Sequence, residues 1–170
     1  QAEQLGLGHA IMCAERAVGN EPFVVVLADD FIYHEGLGVT NDLINAYQKT
    51  GMMQLSVMRV DGQEISNYGV LIEGNKKGDV AGLEEKPTFE TAPSNLASIG
   101  RYVLTENIFD TLKKLKPGKN GEIQLADAIN KQAQIGNVKA VNLDGIRFDC
   151  GNVQGYINAV IYSAKRQKII

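Results

Sequence analysis

Apolar positions recur at helical or alternating spacing along most of the chain. Leu7, Ala10, Ile11, Ala14, Ala17 and Val18 follow the i, i+3, i+4 pattern up to Gly19, which predicts a helix with a glycine stop. Phe23–Asp30, FVVVLADD, is an unbroken apolar run ended by two carboxylates. It predicts a strand over 23–28, buried on both faces of a parallel sheet. Val39, Leu43, Ile44 and Tyr47 predict a helix from Thr40 to Tyr47, capped by Thr40 or Asn41 and ended by Gly51. Gln54–Val60 alternates as a strand does, and Tyr68–Ile72 and Asp79–Glu85 predict two strands joined across GNKKGD at 74–79.

Ser98–Leu104 is a further strand. Thr105 is placed to cap a helix carrying Ile108, Phe109, Leu112 and Leu115, ended by Pro117. The loop PGKNG at 117–121 leads to a helix with Leu125, Ala126, Ile129 and Ala133 on one side. Val138–Val141 is a short strand, and Val153, Tyr156, Ile157, Val160, Ile161 and Ala164 give a final amphipathic helix. The order α-β-α-β-β-β-β-α-α-β-α is that of a mixed α/β sheet, expected as one domain over 1–170.

Composition narrows the classes. At 170 residues, 44% hydrophobic and 22% charged, the chain has enough apolar mass for one real core. A net charge of −3 argues against a dedicated nucleic-acid or membrane-surface binder. No apolar run approaches the roughly 20 residues that span a bilayer. Gln1–Gly8 contains Glu3 and lacks the basic start and apolar centre of a signal peptide. Cys13 and Cys150 form no CxxC, so a reduced, cytoplasmic protein is expected. The chain opens at Gln1, without Met, in what reads as the middle of a domain, so a piece of a longer protein is expected.

Five stretches carry candidate chemistry. Gly6 and Gly8 in QAEQLGLGHA lie where a loop enters a helix, and serve either a turn or close approach to a ligand. Asp29 and Asp30 fall where the first strand runs out. Ligands of open α/β sheets bind there, and hard oxygen ligands select Mg²⁺ or Mn²⁺; the alternative is a turn or helix cap. Gly69 in SNYGVL marks either a bulge or close approach of a ligand. In EEKP, Glu85 can accept from sugar hydroxyls and Lys86 can neutralise a phosphate, unless the group is only a solvated charge cluster. In FDCGN, Asp149 is either a second cation ligand or the N-cap of the last helix. His9 and His34 have no partners at metal spacing, and Cys150 has no evident triad.

GLGHA, LADD, NYGVL, EEKP, PSNLASIGRYVL, GEIQLADAI and FDCGN occur in this order. Together they resemble the bacterial UTP–glucose-1-phosphate uridylyltransferase (UDP-glucose pyrophosphorylase) family, from Gln1 to about Ala164. The resemblance implies a Rossmann-like nucleotide-sugar transferase fold with a mixed sheet. It also implies Mg²⁺-dependent synthesis of UDP-glucose and pyrophosphate from UTP and glucose 1-phosphate. Gln1 and Gly6 match positions that contact uracil, and Asp29 and Asp149 match the Mg²⁺-binding acids. Gly69 matches the glycine against the glucose, while Glu85 and Lys86 match the pair holding sugar hydroxyls and sugar phosphate. Asp30, beside the metal position, is a further candidate substrate contact. On this pattern Asp29, Lys86 and Asp149 are the catalytic set.

The family opens with a strand and a glycine-rich loop ending in Thr-Arg, then a Lys-containing stretch, and nothing in this chain matches them. The chain is therefore expected to be the C-terminal two thirds of such a domain, lacking the N-terminal nucleotide-binding strands. A homo-oligomer is expected, with no nucleic acid or membrane partner. The rivals are a thymidylyl- or guanylyltransferase of the same fold and a non-catalytic sugar-phosphate-binding module.

Overall fold

The computed structural model describes residues 1–118 and 121–169. Chain order is α1 (Leu7–Met12), α2 (Glu15–Val18), β1 (Phe23–Val26), β2 (Asp30–Tyr33), α3 (Val39–Thr50), β3 (Met53–Arg59), a 3₁₀ turn (Gly62–Asn67), β4 (Gly69–Glu73), β5 (Val80–Glu85), β6 (Leu96–Leu104), α4 (Asn107–Lys114), α5 (Leu125–Gln134), β7 (Val138–Asn142), β8 (Ile146–Asp149) and α6 (Val153–Arg166). Part of the PGKNG loop, Lys119 and Asn120, lies outside the described residues.

The fold is α/β with a mixed six-stranded sheet, as expected. The order runs β5-β4-β6-β3-β7, with β1 also paired to β6. Among the described residues only β3 and β7 run parallel in this sheet; its other pairs are antiparallel. The long strand β6 has β3 along one edge and shares its other edge between β1 and β4. The gap between β1 and β4 lies at Ser98–Gly100, and the candidate site forms over it.

On one sheet face, Met53, Leu55 and Val57 alternate inward from β3 and meet Ile11 of α1, Ile108 and Leu112 of α4, and Ala128 and Ile129 of α5. Each large aliphatic side chain buried here contributes ~2 kcal/mol of transfer free energy. Phe23 stacks on Phe109 at a centroid distance of 5.2 Å. The alternate β3 residues Gln54 and Ser56 are buried on the opposite face, where Gln54 Nε2 donates to Thr50 Oγ1 of α3 at 2.9 Å.

Several expectations are corrected. Strand 23–28 is shorter, pairs antiparallel with β6, and leaves Val26 54% exposed, so it is not buried on both faces of a parallel sheet. An apolar run reports burial propensity but not which neighbours are present to provide it. The first helix breaks at Cys13–Ala14 into α1 and α2. Glycine, not Thr40 or Asn41, caps α3, through Gly38. Thr105 does not cap α4 through its side chain, whose buried hydroxyl has no partner among the described residues.

The stripe on α6 is helical as expected but turns outward, with Val153 76% and Tyr156 59% exposed; Ala159 is the residue it buries. The antiparallel ribbon β2–β8 went unforeseen. Its strands are four residues each and lie far apart in sequence, so no local pattern exposes their pairing.

Candidate functional site

A cavity of about 480 Å³ opens over the β1/β4 gap, lined among others by Asp29, Asp30, Gly69, Glu85, Arg147 and Asp149. These six come from four separate stretches of sequence. Five were candidates by sequence; Arg147 was not. Gln1, Gly6 and Lys86 stand outside its lining.

The ribbon supplies the acidic side. Asp30 sits opposite Asp149 in the β2–β8 register, and Asp29 precedes Asp30 at the strand entry. The Cys150 N–H donates to the Asp29 carbonyl at 2.7 Å, which fixes the two strand ends together. Both Asp29 and Asp149 are exposed. Their carboxylates converge on Gly151, where an added Cβ would meet Asp149 Oδ1 at 3.1 Å and Asp29 Oδ2 at 3.3 Å.

Asn152 caps α6 by accepting from the Gly155 N–H at 2.8 Å, so the Asp149 carboxylate is not the helix cap. Asp149 Oδ1 instead accepts from the Gly151 N–H at 3.0 Å. Two convergent, solvent-facing carboxylates supply hard oxygen donors of the kind a divalent cation takes. No cluster of three His, Cys, Asp or Glu suited to a metal occurs among the described residues.

Asp30 differs from its neighbour. It is 5% exposed, and its carboxylate is held by protein donors: the Gly100 N–H to Oδ2 at 2.6 Å, and the Arg147 guanidinium to Oδ1. Arg101 donates to the backbone carbonyls of Asp30 at 2.6 Å and Leu27 at 3.1 Å, so the loop carrying Asp29 is tied to β6. Burial pulls the Arg147 guanidinium down, but the charge and hydrogen bond of Asp30 outweigh it and hold the group above its ordinary value.

The opposite wall carries Gly69, Leu83, Tyr102 and one acid, Glu85. Gly69 opens β4 opposite Glu85 of β5, and a Cβ on Gly69 would lie 3.1 Å from Glu85 Oε2. The Glu85 carboxyl is pushed up by burial, against the pull of Lys86 and with the Asp127 charge adding to the rise. Burial pushes the Tyr102 phenol up to about 12.

Lys86 has φ +50°, a left-handed conformation that a lysine before proline adopts only under constraint. Its N–H donates to the Tyr68 carbonyl at 3.0 Å. Gln1 Nε2 donates to the Gly6 carbonyl at 3.1 Å and lies 3.0 Å from His9 Nδ1. Gly6, at φ +93°, is pressed against Glu122 and Ile123, with an added Cβ 2.7 Å from the Ile123 carbonyl oxygen. That close approach is to the chain's own GEIQL segment.

Arg147, Arg101, Tyr68 and Gly100 were not singled out as site residues because the partners that give them a role lie 70 to 117 residues away in the chain. One signal was available: a glycine inside a strand, as in ASIGRYVL, marks close backbone approach.

The chain joins a mixed sheet to a crevice with acidic side chains at the β1/β4 gap. The chain belongs to the nucleotidyl transferase family, whose profile matches residues 1–166. Among its relatives, a UTP–glucose-1-phosphate uridylyltransferase of Pseudomonas aeruginosa is 48% identical over 164 residues, covering 94% of this chain and 58% of the relative. One from Staphylococcus haemolyticus is 42% identical over 173 residues, covering 99% of this chain and 60% of the relative. A crystal structure of UDP-glucose pyrophosphorylase complexed with UDP-glucose superposes with a TM-score of 0.90 at 42% identity, covering 96% of this chain and 64% of that one. The chain thus spans about three fifths of the length of the curated relatives it matches.

Proposed function

We propose that residues 1–170 act as one α/β domain carrying the sugar-phosphate and metal-binding side of a UTP–glucose-1-phosphate uridylyltransferase. The observation that carries this reading is the single cavity bringing Asp29, Asp149, Gly69 and Glu85 together, in a chain 48% identical to an enzyme of that name. The reaction is attack by the sugar-phosphate oxygen on the α-phosphorus of UTP, with the bond to the β-phosphate oxygen breaking and pyrophosphate leaving in line. Such transfers depend on positioning and on neutralising anionic oxygens more than on covalent help.

Glu85 accepts from the sugar hydroxyls, Gly69 lets the sugar ring lie close to β4, and Lys86 neutralises the sugar phosphate. Gln1 and Gly6, in the loop before α1, face the uracil. Asp30 lines the wall beside the acidic pair. Asp29 and Asp149 hold a divalent cation, proposed as Mg²⁺, which when bound supplies neutralising charge to the phosphates.

A cytoplasmic location is proposed from two free cysteines, Cys13 and Cys150. No helix among the described residues is long and apolar enough to cross a membrane. A homo-oligomer is supported by the outward apolar face of α6.

The test is product formation from glucose 1-phosphate and Mg²⁺ with UTP, dTTP, GTP and ATP in parallel, alongside calorimetric titration of glucose 1-phosphate. UDP-glucose as the main product supports the uridylyl reading. Preference for dTTP or GTP moves it to the thymidylyl or guanylyl rivals. Sugar-phosphate binding without turnover that is restored when the N-terminal portion of a relative is supplied supports an enzyme portion, and binding that stays without turnover even then favours a binding module.

A further inference from the structure

The Asp30–Arg147 pair has no part in the reaction as proposed, yet both residues line the cavity. Arg147 stands two residues before Asp149 on β8, so the two share a face of the ribbon with Asp30 opposite Asp149. The side chains of Arg147 and Asp30 are 13% and 6% exposed. Asp30 Oδ2 takes the Gly100 N–H of β6, and Oδ1 takes Nε and Nη2 of Arg147. Arg147 Nη1 donates onward to the Tyr68 hydroxyl at 2.9 Å, with its guanidinium carbon 5.2 Å from the Tyr68 ring centre. Tyr68 in turn accepts the Lys86 N–H on its carbonyl and is followed by Gly69. Two charge-assisted contacts and one backbone hydrogen bond therefore join the ribbon that presents Asp29 and Asp149 to the segment that presents Gly69, Glu85 and Lys86.

We infer that Arg147, fixed by Asp30, is a positioning residue that holds the Asp29–Asp149 pair at a set separation from the sugar-phosphate wall. The inference rests on the function proposed above. Arginine suits the task because its planar fork engages Asp30 through two nitrogens and still reaches Tyr68, which a lysine cannot do. Stability alone is a poor reason for the pair, since replacing both partners of a buried ion pair by neutral residues is often neutral or stabilising. The role instead requires that the two halves of the site respond to one another. Two ligands held in fixed relation tighten each other's binding by the same factor.

The experiment measures Mn²⁺ affinity of the 170-residue chain by paramagnetic resonance, with and without glucose 1-phosphate, and glucose 1-phosphate affinity by calorimetry. In Asp30→Asn/Arg147→Met, no charge is left unpaired and Asn still accepts from Gly100, so cooperative melting is retained. Mn²⁺ affinity is expected to fall roughly tenfold or more, as for other residues that orient metal ligands. The tightening of Mn²⁺ by glucose 1-phosphate is expected to disappear. Arg147→Lys recovers only part of the loss. Tyr68→Phe, which spares the Asp30 contact, is expected to leave Mn²⁺ affinity alone and to weaken glucose 1-phosphate about fivefold, the scale of one lost hydrogen bond.

Affinities and coupling within about twofold of the unaltered chain in the double variant, twofold being well under the cost of losing a supporting contact to metal ligands, overturn the inference. If that variant fails to melt cooperatively, an unchanged glucose 1-phosphate affinity in Tyr68→Phe overturns it instead. An unaltered chain that binds neither ligand overturns both this inference and the function beneath it. If it binds both and loses Mn²⁺ on Asp29→Asn, the function stands whatever the Arg147 variants show.

Discussion

Asp30 and Gly100 are in closer contact than any side chain at position 100 would permit. The Gly100 N–H donates to Asp30 Oδ2 at 2.6 Å, and a Cβ on Gly100 would stand 2.5 Å from that oxygen and 2.6 Å from the Leu27 Cβ. The loop that delivers Asp29 can lie on β6 only because residue 100 has no side chain.

Gly100→Ala is therefore expected to destabilise the chain by ~3 kcal/mol, the upper range for forcing a methyl group into a packed site. Urea unfolding followed by circular dichroism measures it. A loss below ~0.5 kcal/mol, the scale of a neutral surface change, would show that the loop can shift without cost.

How much of this was legible in the sequence depends on the range over which each signal acts. Helices α3 to α6 and strands β3 to β7 announce themselves by local periodicity, and their ends shift by three residues at most. Asp29 and Asp149 stand out because each follows an apolar run. Gly100 and Arg147 owe their importance to Asp30, 70 and 117 residues away, and no local pattern encodes that. The parallel reading of β1 failed for the same reason, since FVVV is apolar on both sides while the fold covers mainly one.

The pH response of Glu85 follows from its surroundings. Burial raises its carboxyl, so between the ordinary glutamate value and the raised one the folded chain binds more protons than the unfolded chain. The Glu85 contribution to stability thus falls as pH rises through that window, while glucose 1-phosphate binding gains as the carboxylate forms. Glu85→Gln is expected to flatten both dependences in parallel melts and calorimetric titrations on the acid side of neutrality. A variant that keeps the unaltered pH slope of binding would exclude Glu85 as the titrating contact.

Lys86 gives stability and binding opposite signs. Its φ of +50° is strained for lysine and ordinary for glycine. Lys86→Gly is expected to leave stability unchanged or raise it by up to ~1 kcal/mol, because relief of strain offsets the entropy of a freer unfolded chain. The same change should weaken glucose 1-phosphate binding roughly tenfold by removing the ammonium proposed to neutralise its phosphate. Thermal melts and titration calorimetry read the two effects separately, and unchanged affinity would remove Lys86 from the site.

The outward stripe of α6, Val153, Tyr156, Ile157, Val160 and Ile161, is an apolar face with little of the chain against it. Self-association through it is expected, and Val160→Glu should lower the mass seen in sedimentation equilibrium without lowering the melting temperature of the dissociated chain. A monomer in the unaltered chain at every concentration would place the oligomer interface elsewhere or remove it.

The most direct test of the site is calorimetric titration of the chain with glucose 1-phosphate in Mg²⁺, repeated with Glu85→Gln and with Asp29→Asn. The expected result is saturable, one-to-one binding that weakens about tenfold or more in Glu85→Gln, since a hydrogen bond to a charged group is lost. Asp29→Asn should abolish the dependence of that binding on Mg²⁺. Absence of saturable binding in the unaltered chain, or binding that both substitutions leave unchanged, would contradict a sugar-phosphate and metal site in this cavity.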